Sequence, residues 1–227
     1  MLLDADDSQL VLVDYQARLM PVIFENELIV ANALRLARMA RSMEVPVWGT
    51  EQNPDSLGRN SPELLAAIET ASHAGGGKTL AKMHFNAVED GLADWLRPPV
   101  RKLPQGASQG GNARSLPRHL QRPVEPVSSD LPEGRNTIVI AGCEAHVCLM
   151  QTALGLLEEE FEVWVVTDAC SSRTERNRDA AFDRLAGAGA ELVTTEMVAF
   201  EWLRTAEHPL FREVLGLVKQ GDAQKNG

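Results

Sequence analysis

The sequence predicts an α/β fold, a mostly parallel sheet of six strands wound on both faces by helices. Three observations carry this. Short apolar runs alternate with helical patterns along the chain. The runs are apolar throughout rather than alternating with polar residues, as in strands buried on both faces. Helical segments separate nearly all of them, as parallel pairing requires. The length of 227 residues fits one domain of the larger sort.

The first strand is predicted over 9–14 (QLVLVD), ending in an acid, with a loop over 15–24. Residues 25–43 set Ile29, Ala33, Leu36, Ala40 and Met43 on one helical face. A second strand is predicted over 45–50, then a helix over 61–72 opened by Ser61-Pro62, a cap and first-turn pair. A weaker strand (79–83) and a helix (88–96) follow. Beyond a break come a strand over 137–142 (TIVIAG), a helix over 146–160, a strand over 162–168, a helix over 175–187 and a strand over 191–194. Helices near 196–205 and 208–219 close the chain, and the tail after 219 is predicted to fray.

The break is compositional. Residues 98–135 hold seven of the twelve prolines and no helical or alternating pattern. With six Arg or Lys against three acids they are locally +3, so the rest of the chain sums to −13 within a net charge of −10. A connection this long without structure of its own is expected to be a lid, a binding loop or a disordered insert. The acidic total argues against sequence-independent nucleic-acid binding, which depends on Lys and Arg neutralising phosphates. No apolar run reaches the length that spans a bilayer, and the amino terminus lacks signal-peptide features. Three cysteines in a chain this long point to reduced thiols and a cytoplasmic location.

In doubly wound sheets ligands bind beyond the carboxyl ends of the strands, near the switch in strand order. The residues predicted there are Asp14-Tyr15-Gln16, Thr50-Glu51-Gln52, Lys82-Met83-His84, and Gly142 through Cys148. Taken singly, Asp14 reads as a turn-capping acid and Lys82 as a solvated lysine. Cys148 sits at a predicted helix start, where unpaired amides favour a thiolate, though a free cysteine is as often a buried small hydrophobe. Together, an acid, a lysine and a cysteine at three strand ends make a nucleophile, its base and an electrostatic support. No Gly-rich phosphate loop follows the first strand; GGGK at 75–78 precedes a strand instead. A G-x-S-x-G elbow is absent too.

At these residues the sequence resembles the isochorismatase-like cysteine hydrolases. LVLVDYQ (10–16), KMHFNA (82–87) and above all AGCEAHVCLMQTALGLLEEEFEVWVVTDACSSR (141–173) carry the resemblance. GTEQNP (49–54) and FEWLRTAEHPLF (200–211) resemble the subgroup called isochorismatase domain-containing proteins. The resemblance covers most of the chain except 98–135. It implies a Rossmann-like three-layer α/β/α fold, a catalytic triad of Asp14, Lys82 and Cys148, and a homo-oligomer, dimer or tetramer. It also implies a cis peptide between Glu144 and Ala145 that aims amides, that of Cys148 among them, at an oxyanion.

Two departures narrow the expectation. Nicotinamidases of this superfamily bind a metal through an Asp-x-His motif after the second strand. Here Thr50-Glu51-Gln52-Asn53 stands in that place, so no catalytic metal and no cofactor is predicted. Isochorismatases proper lack the cysteine, which argues against vinyl-ether cleavage here. Cys143 and Cys170 are expected to be packing thiols. Gln16, Gln52, His84 and His146 are candidates to line the pocket, Gln16 and Gln52 with a solvated-loop alternative, His84 with an outward-pointing one and His146 with a loop-stabilising one. The expected activity is metal-independent hydrolysis of a small amide or related C–N bond through a thioester, with a small molecule as substrate and neither nucleic acid nor membrane as partner. The alternative is a non-catalytic metabolite-binding or regulatory protein that uses 98–135 to contact a partner.

Overall fold

In the computed structural model of the chain, residues 1–97 and 134–223 are described. Six strands form one all-parallel sheet: β1 (Ser8–Val13), β2 (Val47–Gln52), β3 (Lys78–Lys82), β4 (Thr137–Gly142), β5 (Glu162–Val166) and β6 (Glu191–Val193), in the spatial order β3-β2-β1-β4-β5-β6. The predicted doubly wound fold is therefore observed. The switch in strand order falls between β1 and β4, and every residue of β1, β2 and β4 is buried. Gly142 closes β4 at φ 155°, where a Cβ would lie 2.3 Å from the Val13 carbonyl oxygen, so the two central strands can end this close together only with glycine there.

Helix α1 (Asn26–Ser42) packs against α3 (Pro62–Thr70), α7 (Thr195–Leu203) and α8 (Phe211–Ala223). Against the other face, α5 (Met150–Glu158) packs on α6 (Glu175–Gly187) and on the 3₁₀ turn Ala87–Asp90 that leads into α4 (Leu92–Leu96). A short helix, α2 (Pro54–Leu57), follows β2 and was not legible. Side-chain caps set three starts: Ser61 accepts from Leu64 N, as the sequence suggests, and Thr174 accepts from Asn177 N and Thr194 from Met197 N.

Most boundaries shift by a residue or two, and four elements differ in a way that matters. β2 starts two residues later, because Pro46 has no N–H for the ladder, and it runs on to Gln52, which pairs with Lys82 of β3. The helix predicted over 88–96 is broken at Gly91, whose φ of 92° leaves the right-handed helix. The helix predicted over 146–160 begins as a separate π-helical turn, Ala145–Leu149. Helix α8 runs through Ala223, past the Lys219 after which the tail was expected to fray. No helix among the described residues is long and apolar enough to cross a membrane.

Most of the proline-rich stretch, residues 98–133, lies outside the described residues. Its two roots are described, and they lie together at the amino ends of the strands. Gln9 Nε2 donates to Leu96 O and Arg135 O, both at 3.0 Å, while Gln9 Oε1 accepts from Trp48 Nε1. Arg97 caps the carbonyls of Glu159 and Glu160 at the end of α5, and Arg135 caps those of Ala5, Ser8 and Glu44.

Candidate active site

The carboxyl ends of β1, β2 and β3 and the turn after β4 bring Asp14, Gln52, Lys82 and Cys148 together. Asp14 follows β1 at φ 53° and is fully buried. Its Oδ1 accepts from Thr50 Oγ1 at 2.6 Å. Its Oδ2 lies 2.9 Å from Lys82 Nζ in an ion pair whose two side chains are both 0% exposed. Lys82 ends β3 directly opposite Gln52 in the register. Its Nζ donates to Gln52 Oε1 at 2.6 Å and to the carbonyls of His84 and Phe85 at 3.3 and 3.4 Å. A buried ammonium needs such a set of partners, since desolvation alone costs several kcal/mol, on the order of what one good pair returns.

Cys148 lies in the π-helical turn, and its Sγ donates to Gln52 Oε1 at 3.8 Å. Burial, reinforced by the Asp14 carboxylate and opposed by the Lys82 ammonium, pushes the thiol up to about 12. The sequence reading weighed a thiolate-favouring helix start equally with a buried thiol; the structure decides for the buried thiol. The resting group is a neutral thiol, because removal from water and a neighbouring negative charge outweigh the ammonium.

A second correction concerns the turn itself. The cis peptide joins Cys143 and Glu144, one residue before the expected place. The Glu144 carbonyl accepts from the amides of Val147 and Leu149, so the Glu144–Ala145 peptide already belongs to the helical turn and is trans. The Ala145 amide, expected to face an oxyanion, donates instead to Ser171 O at 2.8 Å. The His146 amide has no acceptor among the described residues, and that of Cys148 none outside its own turn. Glu144 itself holds Arg173 at 2.8 Å. The loop after β5 thereby braces the turn that carries the thiol.

The remaining candidates separate. Gln16 is not a solvated loop residue: it is fully buried, its Oε1 accepting from Gln52 N and its Nε2 donating to the carbonyls of Gln52 and Gly58. Gln52, also buried, touches both Lys82 and Cys148. His84 turns outward, its ring exposed and 3.1 Å from Asp90, and only its carbonyl reaches the site. His146 contacts Ser172 Oγ and Asn177, in keeping with its loop-stabilising alternative. Cys143 and Cys170 are buried, and burial drives both thiols up.

Thr50 is a site residue that sequence reasoning missed as a partner of Asp14. The signal was a hydroxyl on the strand beside the acid, hidden by ending that strand at 50. The donor set does not suit a metal at the end of β2: Thr50 is held by Asp14, Glu51 accepts from Asn60 N, and Gln52 offers a carboxamide already bonded at both ends. Among the described residues no group of three or more His, Cys, Asp or Glu is placed to hold a metal ion.

Comparison with known proteins gives the family. The isochorismatase domain model matches residues 131–197. Isochorismatase domain-containing protein 2A of Mus musculus is 32% identical over 215 residues, 95% of this chain and 84% of that protein. The chain belongs to the isochorismatase-like family. Among solved structures it is similar to the MAR1 ribonuclease of Caenorhabditis elegans (26% identity, TM-score 0.71, 96% of this chain and 93% of that one). It is also similar to YcaC. The Pseudomonas aeruginosa form was solved with hexane-2,5-diol and covalent acrylamide (25% identity, TM-score 0.72, 98% and 95% covered). The Escherichia coli form is described as an octameric hydrolase of unknown specificity (25% identity, TM-score 0.69, 99% and 98% covered). Family and neighbours support a function of the hydrolase type.

Proposed function

We propose that the protein is a metal-independent cysteine hydrolase of a small amide or related C–N bond. The observation that carries this is the convergence of a buried Asp14–Lys82 ion pair at 2.9 Å with the buried Cys148 thiol, on which both charges act. Asp14 takes the Cys148 proton as sulfur attacks the carbonyl carbon, and the C=O electron pair moves onto oxygen. Donors at the turn, the amides of His146 and Cys148, suit that oxyanion. Collapse breaks the C–N bond, and the leaving nitrogen takes the proton back from Asp14. Water then gives a proton to Asp14 and its oxygen attacks the thioester, releasing the acid and restoring the thiol. Lys82 holds Asp14 in place throughout. The covalent acrylamide on YcaC supports the reading, since acrylamide is an electrophile of the kind sulfur nucleophiles add to.

A homo-oligomer is proposed with it. Four of the seven exposed large apolar side chains among the described residues, Met1, Leu2, Met197 and Phe200, lie where the amino terminus meets α7, and the E. coli relative is octameric.

The test is turnover of an amide and ester library with mass spectrometry of the trapped enzyme. An acyl adduct on Cys148, absent from Cys148→Ala together with a loss of turnover of about 10³-fold or more, is expected. Adducts spread equally over the three cysteines, or turnover that survives in Cys148→Ala, would refute the mechanism. No turnover at all, with partner binding that depends on 98–135, would favour the regulatory alternative.

A further inference from the structure

The turn that leaves β3 serves the site with its main chain. Three successive carbonyls are used: Met83 O accepts from Gln52 Nε2 at 2.7 Å, and His84 O and Phe85 O accept from Lys82 Nζ at 3.3 and 3.4 Å. The two bonds to the ammonium are long, so a small retreat of the turn breaks them. The turn is held at two places. Asp90 Oδ2 accepts from the amides of Met83 and His84 at 3.1 and 2.9 Å. The other hold is Thr152, fully buried on α5, four residues beyond Cys148. Its hydroxyl accepts from Ala87 N at 3.0 Å and donates to Phe85 O at 3.3 Å, the same oxygen that Lys82 meets. The turn also lies tight against α5. A Cβ on Gly155 would stand 2.6 Å from both Asn86 Nδ2 and Asn86 Oδ1.

We propose that Thr152 is a positioning residue: through Phe85 O and Ala87 N it ties the helix that follows the thiol to the turn that holds the Lys82 ammonium. A threonine hydroxyl inside a helix has a carbonyl of its own helix within reach, one turn back. Thr152 instead spends its one donor on the β3 turn, where the oxygen it meets is shared with the lysine. Asp14, Lys82 and Cys148 come from three separate strand ends, and this hydroxyl links two of them. The ammonium pairs with the Asp14 carboxylate and favours the thiolate. A turn that drifts from α5 therefore lets the ammonium drift from both.

The role rests on the hydrolase reading, but its test needs no turnover. Acrylamide is added at neutral pH to the full chain and to three variants, and adducts at each cysteine are timed by peptide mass spectrometry. In this reaction the terminal carbon of acrylamide bonds to sulfur and the thiol proton ends on the carbon beside its carbonyl. Thr152→Val keeps the shape and removes both hydrogen bonds; Cys148 is expected to react about tenfold more slowly or worse. Thr152→Ser keeps the hydroxyl and is expected to react at close to the parent rate. Cys143 and Cys170, 0% and 1% exposed, report general loosening and are expected to stay unlabelled in both. A folded Thr152→Val whose Cys148 reacts as fast as the parent overturns the proposal. So does one in which all three cysteines react faster, the mark of a merely structural threonine. Should melting show that Thr152→Val does not fold, Gly155→Ala decides: it keeps the hydroxyl but pushes Asn86 and the turn away, and a parent rate at Cys148 overturns the proposal. Failure of the hydrolase reading looks different: no amide is turned over, yet the slowing at Cys148 is present.

Discussion

The two ends of the sheet meet the same demand in opposite ways. At the amino ends, Gln9, Arg97 and Arg135 direct all their contacts to main-chain carbonyls and neighbouring side chains, and they gather both roots of the proline-rich stretch. At the carboxyl ends, Gln16 and Gln52 do similar work for the backbone, but the network also encloses an acid, an ammonium and a thiol. Both ends are well bonded. What separates them is a fully buried ion pair beside a buried thiol, a costly arrangement that a purely structural end has no reason to keep.

The largest expected effect comes from breaking the charge pair at the carboxyl end. Lys82→Met leaves a buried carboxylate unpaired and should cost about 3–5 kcal/mol in urea unfolding, besides abolishing turnover. The double variant Asp14→Asn/Lys82→Met should recover much of the stability and none of the activity. A single variant within about 1 kcal/mol of the parent would mean that this end is no more electrostatically tense than the other.

Next comes alkaline pH, which acts through the buried thiols. Burial raises Cys143, Cys148 and Cys170 in the folded chain. Their contribution to stability is thus fully present below the unfolded-chain value near 8.5 and is lost as pH rises above it, because the unfolded chain then releases protons that the folded chain keeps. Three thiols give a fall of about 4 kcal/mol per pH unit, read from unfolding at pH 8, 9 and 10. Replacing Cys143 or Cys170 by Ala should reduce that slope by about a third, and an unchanged slope would contradict the burial argument.

The smallest effect belongs to the amino end. Since one Gln9 amide holds Leu96 O and Arg135 O, replacing 98–133 by a short Gly-Ser linker should leave stability within about 1 kcal/mol and leave labelling of Cys148 unchanged. A large loss in either would show that the insert reaches the site from its distant root.

Much of the site was legible because strand ends in a doubly wound sheet collect at one edge. Asp14, Lys82 and Cys148 each follow or end an apolar run, and that alone predicts their meeting. Gln16 and Thr50 were harder. Gln16 lies in what reads as an open loop, and only its bridge to Asn60 and the turn at Gly58 bury it. Thr50 could not be matched to Asp14 until β2 was seen to run on to Gln52. For His84 the outward-pointing alternative holds: its main chain faces the site while its ring pairs with Asp90 in solvent. The cis peptide was displaced by one residue because its place depends on which carbonyl starts the helical turn.

By itself the sequence determined the strand–helix order, the six-stranded parallel sheet, the family and three of the residues at the centre of the site, since apolar periodicity and residue identity are local properties of a chain. Tertiary structure decided the protonation of Cys148, the fixing of Gln52 between lysine and thiol, and the root of the proline-rich stretch at the far end of the sheet. Those depend on burial and on distances between residues remote in the chain, and no local pattern records how much water a side chain has lost or which neighbour replaced it.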